Sequence, residues 1–222
     1  MKVSVTIISR DKKNILPQCL ESAKQISDDI VIVTNSDHKF VNFSDQKNYA
    51  MSLCKHDWIF SLDDDEWLSP ELIKEIKSLP EQSEYSAYKI PRLNYIFGKA
   101  IYHTNWEPAA DTHIWLWKKN LGKWVGVVHE ELIISGKVQK LQGLKIHDSY
   151  HTVEEFVAKM TIVTSGEKKA VNPFYDFLRR YIWHAGFLDG WHGLFLSYLM
   201  FIYHTIVWVK LWQKKNLSLS VL

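Results

Sequence analysis

Three short apolar runs, each followed by a stretch of helical period, constrain the fold before any chemistry is considered. Val3 to Ile8 (VSVTII) is β-branched with little alternation, the pattern of a strand covered on both faces of a parallel sheet. Asn14 to Lys24 then carries Ile15, Cys19, Leu20 and Ala23 at helical spacing, with Pro17 tolerable only near the first turn. Asp29 to Thr34 reads as a second buried strand, Asp45 to Leu53 as a short helix, and Trp58 to Leu62 (WIFSL) as a third strand. Ser69, Pro70 and Glu71 give an N-cap, a first-position proline and an acidic first turn for a helix with Leu72, Ile73, Ile76 and Leu79 inward. This alternation predicts an α/β fold with a Rossmann-like, mostly parallel sheet.

After Pro80 the pieces shorten. Ala87 to Ile90, Ile114 to Lys118, Trp124 to Val128 and Leu132 to Ser135 read as strands separated by turns at Gly98, Gly122 and Gly136, so the sheet is expected to become mixed. Helical period returns at Val153 to Val163 and again from Phe174. From Phe156 onward there are eight bases against three acids, and aromatics crowd from Phe174 to Trp212. We therefore expect two parts, a domain over residues 1–155 and a helical segment over 156–222.

Composition excludes several classes. The net charge of +2 is too balanced for a protein that holds nucleic acid through its phosphates. Two cysteines, Cys19 and Cys54, without CxxC or Cys/His ligand spacing argue against a disulfide scaffold or a structural zinc site. The N-terminal MKVSVTIISRD lacks the apolar core and cleavage site of a secretory signal, so a reducing cytoplasmic setting is expected.

The third strand runs straight into Asp63, Asp64, Asp65 and Glu66. In open α/β sheets ligands bind beyond the carboxyl ends of the strands, where Asp63 and Asp65 can turn two hard oxygen donors toward Mg²⁺ or Mn²⁺ shared with substrate phosphates. A solvated acidic turn favouring the next helix's N-terminus is the other reading of the same residues.

The segments VTIISRDKKNILPQCLES, DIVIV, DQKNYAMS, DWIFSLDDDEWLSPEL, IPRLNYIFGK, VVHEEL, IHDSYHTVEEFVAKM and FLRRYIWHAGFLDGWHGL, in that order, resemble the family 2 glycosyltransferases of GT-A type. The match is closest to small bacterial β-1,4-glucosyltransferases of the lipopolysaccharide or lipooligosaccharide inner core. The resemblance implies a nucleotide-sugar donor, UDP-glucose in the nearest members, and a divalent metal at the DxD. Asp65 is then a direct metal ligand, Asp63 a contact on the ribose or metal side, and His147 of IHDSY a third metal ligand or an acceptor contact. Further donor contacts are implied at Ser9, Asp37, Lys47 and Arg92, with Lys47 facing the diphosphate. Inversion requires a base for the acceptor hydroxyl, and the resemblance points first to Glu130 of VVHEEL and second to Asp111. His129 is a further polar position in that stretch.

The chain departs from the family pattern at three places. Thr34 stands where an Asp usually reads uracil, with Asp37 three residues on; Lys12 and Lys13 replace an acidic residue in the first loop; and Trp115 within IWLW takes a basic position. A polyprenyl-phosphate glycosyltransferase and a noncatalytic sugar-nucleotide or lipid-surface binding module are the rival readings.

Trp191 to Val209 carries no formal charge and lies between Arg179/Arg180 and Lys210/Lys214/Lys215. At about 1.5 Å per residue it approaches a bilayer core in length. Its aromatic, cation-flanked character fits an interfacial helix best, with a packed or a spanning helix as alternatives. The expected setting is the cytoplasmic face of the inner membrane, in peripheral association, next to a lipid-linked saccharide acceptor.

Overall fold

The computed structural model describes residues 1–127, 130–164 and 169–217. The chain forms two compact units, one from Met1–Leu93 with Asp111–Asp148 and one from Asn94–Ala110 with the residues from Ser149 onward. The second unit thus takes in the Asn94–Ala110 excursion along with the aromatic tail.

In the first unit β1 (Val3–Ile8) is buried at all six positions, as its unalternating β-branched sequence requires. α1 (Pro17–Ile26) begins three residues later than the apolar spacing suggested, because Pro17 can stand only in the first turn; residues 12–14 instead form a separate 3₁₀ turn capped by Asp11. β2 (Asp29–Val33) follows, then α2 (Phe43–Leu53), which starts two residues early because the Asn42 side chain accepts from the Asp45 amide. β3 (Trp58–Asp63) ends on the first residue of the acidic run. β1 pairs in parallel with both β2 and β3.

The acidic run is itself partly strand. β4 (Glu66–Leu68) leads into α3 (Pro70–Ser78), where the Ser69 hydroxyl accepts from the Leu72 amide and Leu72, Ile73 and Ile76 face the core as expected. β5 (Ala87–Ile96) runs through Pro91, where a strand end at Ile90 had been expected. The register on β7 shifts between Tyr88 and Lys89 and then runs on with Pro91 opposite Thr112, and the Arg92 amide donates to the Asp111 carbonyl. The remaining strands are β6 (Lys99–Ala100), β7 (Thr112–Lys118), β8 (Gly122–Val125), β9 (Glu131–Ile134), β10 (Val138–Lys140) and β11 (Lys145–Tyr150). The main sheet has the order β2-β1-β3-β7-β5-β11-β4. β7 is antiparallel to β3 and β5, so the sheet turns mixed beyond β3. β8 and β9 form a separate two-stranded antiparallel sheet. Between them the expected strand residue Val128, and His129, lie outside the described residues. Val5, Ile7, Ile59, Phe60, Leu62, Leu72, Leu116 and Trp117 fill the core without measurable exposure.

In the second unit α4 (Val153–Val163) and α5 (Pro173–Leu178) are followed by a π-helical turn at Arg179–Trp183, a 3₁₀ turn at Gly186–Asp189 and α6 (Trp191–Leu217). α6 lies hard against the 3₁₀ turn at Gly193, where any Cβ would collide with the Gly186 carbonyl oxygen. Ile96, Ile101 and Leu196 form a small core, with Phe97, Trp106 and Tyr150 against it.

Candidate active site

The end of β3 opens on a cleft of about 530 Å³ lined by, among others, Lys47, Asp63, Arg92, Trp115, Trp124 and Glu130. Lys47 is brought there by α2, and α2 is stitched to β8: the Asn48 amide donates to the Trp124 carbonyl at 2.8 Å and its oxygen accepts the Trp124 N–H at 3.1 Å, while the Ser44 hydroxyl donates to the Gly126 carbonyl at 2.7 Å. This holds Trp124 beneath the Lys47 ammonium, 4.6 Å from ring centroid to Nζ. Lys47 is only 3% exposed, yet its Nζ lies 3.0 Å from Glu130 Oε1 and 3.6 Å from Asp63 Oδ1. Burial would lower its pKa, but the two carboxylates outweigh burial and hold it above the usual lysine value. Asp63 goes the other way: burial raises its pKa despite Lys47, and its Oδ1 is sealed from solvent without a hydrogen-bond donor.

A second charged cluster supports the cleft from below. Glu66, fully buried, accepts the Asp63 backbone N–H at 2.8 Å, pairs with the Lys145 ammonium at 2.5 Å and receives Arg92 Nη1 at 3.2 Å. Burial pushes this carboxyl up, but Lys145, then His147 and Arg92, more than offset it and hold the group at about 2. Lys145 reaches this place because β11 pairs with β4, opposing Lys145 to Leu68 and His147 to Glu66. Its ammonium lies 3.2 Å from the Trp115 ring centroid, and the Arg92 guanidinium lies 5.6 Å from the same ring. Trp115 therefore seats two cations where the family pattern places one basic side chain. Arg92 is further held by Asp111, Nε to Oδ2 at 2.8 Å and Nη2 to Oδ1 at 3.3 Å, and Asp111 also pairs with His113 at 2.9 Å.

A strand-end acidic run, a buried lysine and an arginine thus converge on one cleft. Comparison with known proteins assigns the chain that carries it to a family. Residues 4–134 match the family model described as Glycosyl transferase family 2. The chain belongs to this family. An uncharacterized glycosyltransferase of Rickettsia typhi is 23% identical over 99% of this chain and 88% of its own length, and one of Rickettsia prowazekii is equally similar over the same shares. Among solved structures, residues 1–349 of S. aureus TarS in complex with UDP align with a TM-score of 0.43 at 10% identity, covering 83% of this chain and 68% of that one. By its family and by the strand order described above, this glycosyltransferase has the α/β fold of GT-A type expected from the sequence, with a C-terminal helix.

Of the site residues expected from sequence, the cleft of the glycosyltransferase gathers Lys47, Asp63, Arg92 and Glu130. Asp111 stands behind Arg92 as its partner. Ser9 donates to Asp64 Oδ2 at 2.5 Å, so the middle aspartate of the run anchors the first loop. Asp37 folds back on β2, accepting the Thr34 hydroxyl at 2.7 Å and its N–H at 3.0 Å; the hydroxyl bond first, then the amide bond, lower its pKa. Asp65 Oδ2 lies 3.5 Å from His147 Nε2, and the Asp148 amide donates to the Asp65 carbonyl at 3.0 Å. No group of three or more His, Cys, Asp or Glu placed to hold a metal ion occurs among the described residues. Asp65 and His147 nevertheless fit a divalent ion as an oxygen and a nitrogen donor, since Mg²⁺ and Mn²⁺ in phosphate sites take few protein ligands and complete their shell with phosphate and water. Asp63 Oδ1, which receives no hydrogen bond and lies 3.6 Å from the Lys47 ammonium, is a second oxygen close in sequence. Glu66, Lys145, Trp124 and Asn48 were not foreseen. Only the burial implied by β4 and β11 could have marked the first two, and those three- and six-residue strands carry weak periodicity.

Proposed function

We propose that this glycosyltransferase moves a hexose, glucose in the first instance, from a nucleotide sugar such as UDP-glucose to a lipid-linked inner-core saccharide, with inversion at the anomeric carbon. The observation that carries this reading is the Lys47 ammonium set between Asp63 and Glu130 in the cleft beyond β3. Lys47 and Arg92, with Lys89 also on the lining, are the cations that would meet a diphosphate there, and a lysine has three donors, so Lys47 can hold Glu130 and a phosphate oxygen together. Glu130, partly exposed and fixed by that lysine, takes the proton of the acceptor hydroxyl. The hydroxyl oxygen forms the new bond to the anomeric carbon, the bond from that carbon to the diphosphate oxygen breaks, and the nucleoside diphosphate leaves from the opposite face.

Charge supports a metal requirement. Asp63, Glu66, Asp111, Glu130 and Glu131 outnumber Lys47, Lys89, Arg92 and Lys145 around the cleft, and Asp64 and Asp65 follow directly, so a diphosphate entering alone meets net repulsion. Asp65 and His147, with Asp63, are the residues that would hold Mg²⁺ or Mn²⁺. Bound there, the ion supplies positive charge to the departing diphosphate. A lipid-linked acceptor at the cytoplasmic face of the inner membrane agrees with the apolar surface of the second unit.

The test is a panel of nucleotide sugars incubated with the full chain, Mn²⁺ and a lipid-extracted core acceptor, read by mass spectrometry. Hexose addition from UDP-glucose with inverted configuration is the expected result. Absence of both transfer and slow nucleotide release from every donor leaves a binding module as the surviving interpretation.

A further inference from the structure

The second unit exposes an unusual amount of aromatic surface within one stretch of chain. Phe174, Trp183 and Trp191 are 71%, 70% and 72% exposed, and Ile182, Leu188 and Phe195 are each more than half exposed. The patch is continuous between α5 and α6, since the Phe174 ring meets Phe201 edge-on at 5.0 Å and Phe201 stacks on Tyr198 at 6.0 Å. Further along α6, Trp208 and Trp212 are also exposed. Solitary apolar residues on a surface need no explanation, whereas a contiguous aromatic face does.

Charge identifies what covers it. Between Lys169 and Leu217 the two acids, Asp176 and Asp189, are both buried, so every exposed formal charge there is positive, including Lys169, Lys214 and Lys215. A face of this kind meeting a second copy of itself would bring like charges together. Aromatic side chains beside lysines match the headgroup layer of an anionic bilayer.

The same unit decides between lying on a membrane and crossing it. Trp191–Asn216 is long and apolar enough to span, with a mean hydropathy of 1.6. However, its middle is tied to charge: His204 Nε2 lies 3.3 Å from Asp176, which also binds Arg180 at 2.6 Å and Arg179 at 3.1 Å. Nearer the end, Lys210 donates to the Thr164 hydroxyl at 2.8 Å and the Thr161 carbonyl at 3.2 Å. Spanning would pull this cluster into hydrocarbon or tear it from the helix.

We infer that the second unit docks in the plane of an anionic phospholipid surface through the aromatic face of the Phe174–Phe195 elbow and the outer side of α6. This extends the lipid-linked acceptor reading but stands on separate residues. Full-length protein is mixed with vesicles of phosphatidylcholine alone or with 30% phosphatidylglycerol and sedimented. We expect at least tenfold stronger partitioning to the anionic vesicles, a blue shift of tryptophan emission, and release by alkaline carbonate. The Trp183→Ser/Trp191→Ser double variant, checked for native circular dichroism, is expected to lose at least tenfold in partitioning while donor hydrolysis is unchanged. Equal binding to both vesicle types, unchanged partitioning of the double variant, or retention after carbonate overturns the inference. So does a dimer in sedimentation velocity that the double variant abolishes. Vesicle binding by a protein inactive on every donor sinks the catalytic reading and leaves the docking surface standing.

Discussion

Lys47 in α2 donates to Glu130 at 3.0 Å across 83 residues of sequence, and the same ammonium faces Asp63 at 3.6 Å. One buried cation thus keeps two carboxylates of the cleft from repelling each other. Lys47→Met leaves both without it. Removing one partner of a buried ion pair costs about 3–5 kcal/mol, and because Glu130 and Asp63 keep some solvent contact we expect about 2 kcal/mol in urea unfolding. Adding Glu130→Gln to Lys47→Met is expected to recover part of that loss. Strictly additive effects in the double-mutant cycle would show that the two side chains do not act on each other.

Glu130→Gln keeps the hydrogen-bonding shape of the wall while removing its ability to accept a proton. Transfer is expected to fall about 10²- to 10⁴-fold, the usual worth of a positioned base, with affinity for the nucleoside diphosphate within threefold of the native value by calorimetry. Asp111→Asn should behave differently. Asp111 holds Arg92 through two hydrogen bonds, so its loss is expected to raise the KM for the donor more than it lowers kcat. Near-native turnover in Glu130→Gln together with a collapse of kcat in Asp111→Asn would exchange the two roles.

These contrasts also mark what the sequence could convey. The parallel half of the sheet was legible because β1, β2 and β3 are unalternating apolar runs, and α3 because Ser69, Pro70 and Glu71 spell its start. Lys47, Asp63, Arg92 and Glu130 were legible through motifs. The support beneath them was not: Glu66 reads as the last of four acids, although it is the one fully buried, and Lys145 as a solvated base. Their burial depends on the β4–β11 pairing, a contact between segments 77 residues or more apart that no local period encodes. The extension of β5 through Pro91 was hidden for a related reason, since a proline in the sequence reads as a strand end and only the pairing with Thr112 shows that the strand runs on.

The Glu66 carboxyl, held at about 2 against an ordinary 4.5, ties stability to pH with a definite sign. A depressed carboxylate stabilises the fold above its unfolded value and loses that contribution as pH falls from about 4.5 toward 2. The shift corresponds to at most about 3 kcal/mol at neutral pH. Glu66→Gln, which leaves Lys145 buried opposite an amide, is expected to lower stability at pH 7 and to flatten the acid limb. Urea midpoints measured from pH 7 to pH 2.5 check this. A variant whose acid limb parallels that of the native protein would assign the acid sensitivity to other carboxylates.

The metal proposal separates residues that stand side by side in the acidic run. Asp65 and His147 face each other at 3.5 Å, whereas Asp64 is occupied by the Ser9 hydroxyl. Asp65→Ala is therefore expected to raise the Mn²⁺ concentration needed for half-maximal donor hydrolysis at least tenfold, and His147→Ala to raise it by less, since an acidic oxygen contributes charge as well as a lone pair. Asp64→Ala should leave the Mn²⁺ dependence in place and instead loosen the first loop, seen as faster amide exchange at Ser9 and Asp11. Mn²⁺ binding followed by electron paramagnetic resonance in the presence of UDP gives the same ranking without turnover. If all three variants bind Mn²⁺ with native affinity, the ion sits elsewhere and the acidic run is left without a metal role.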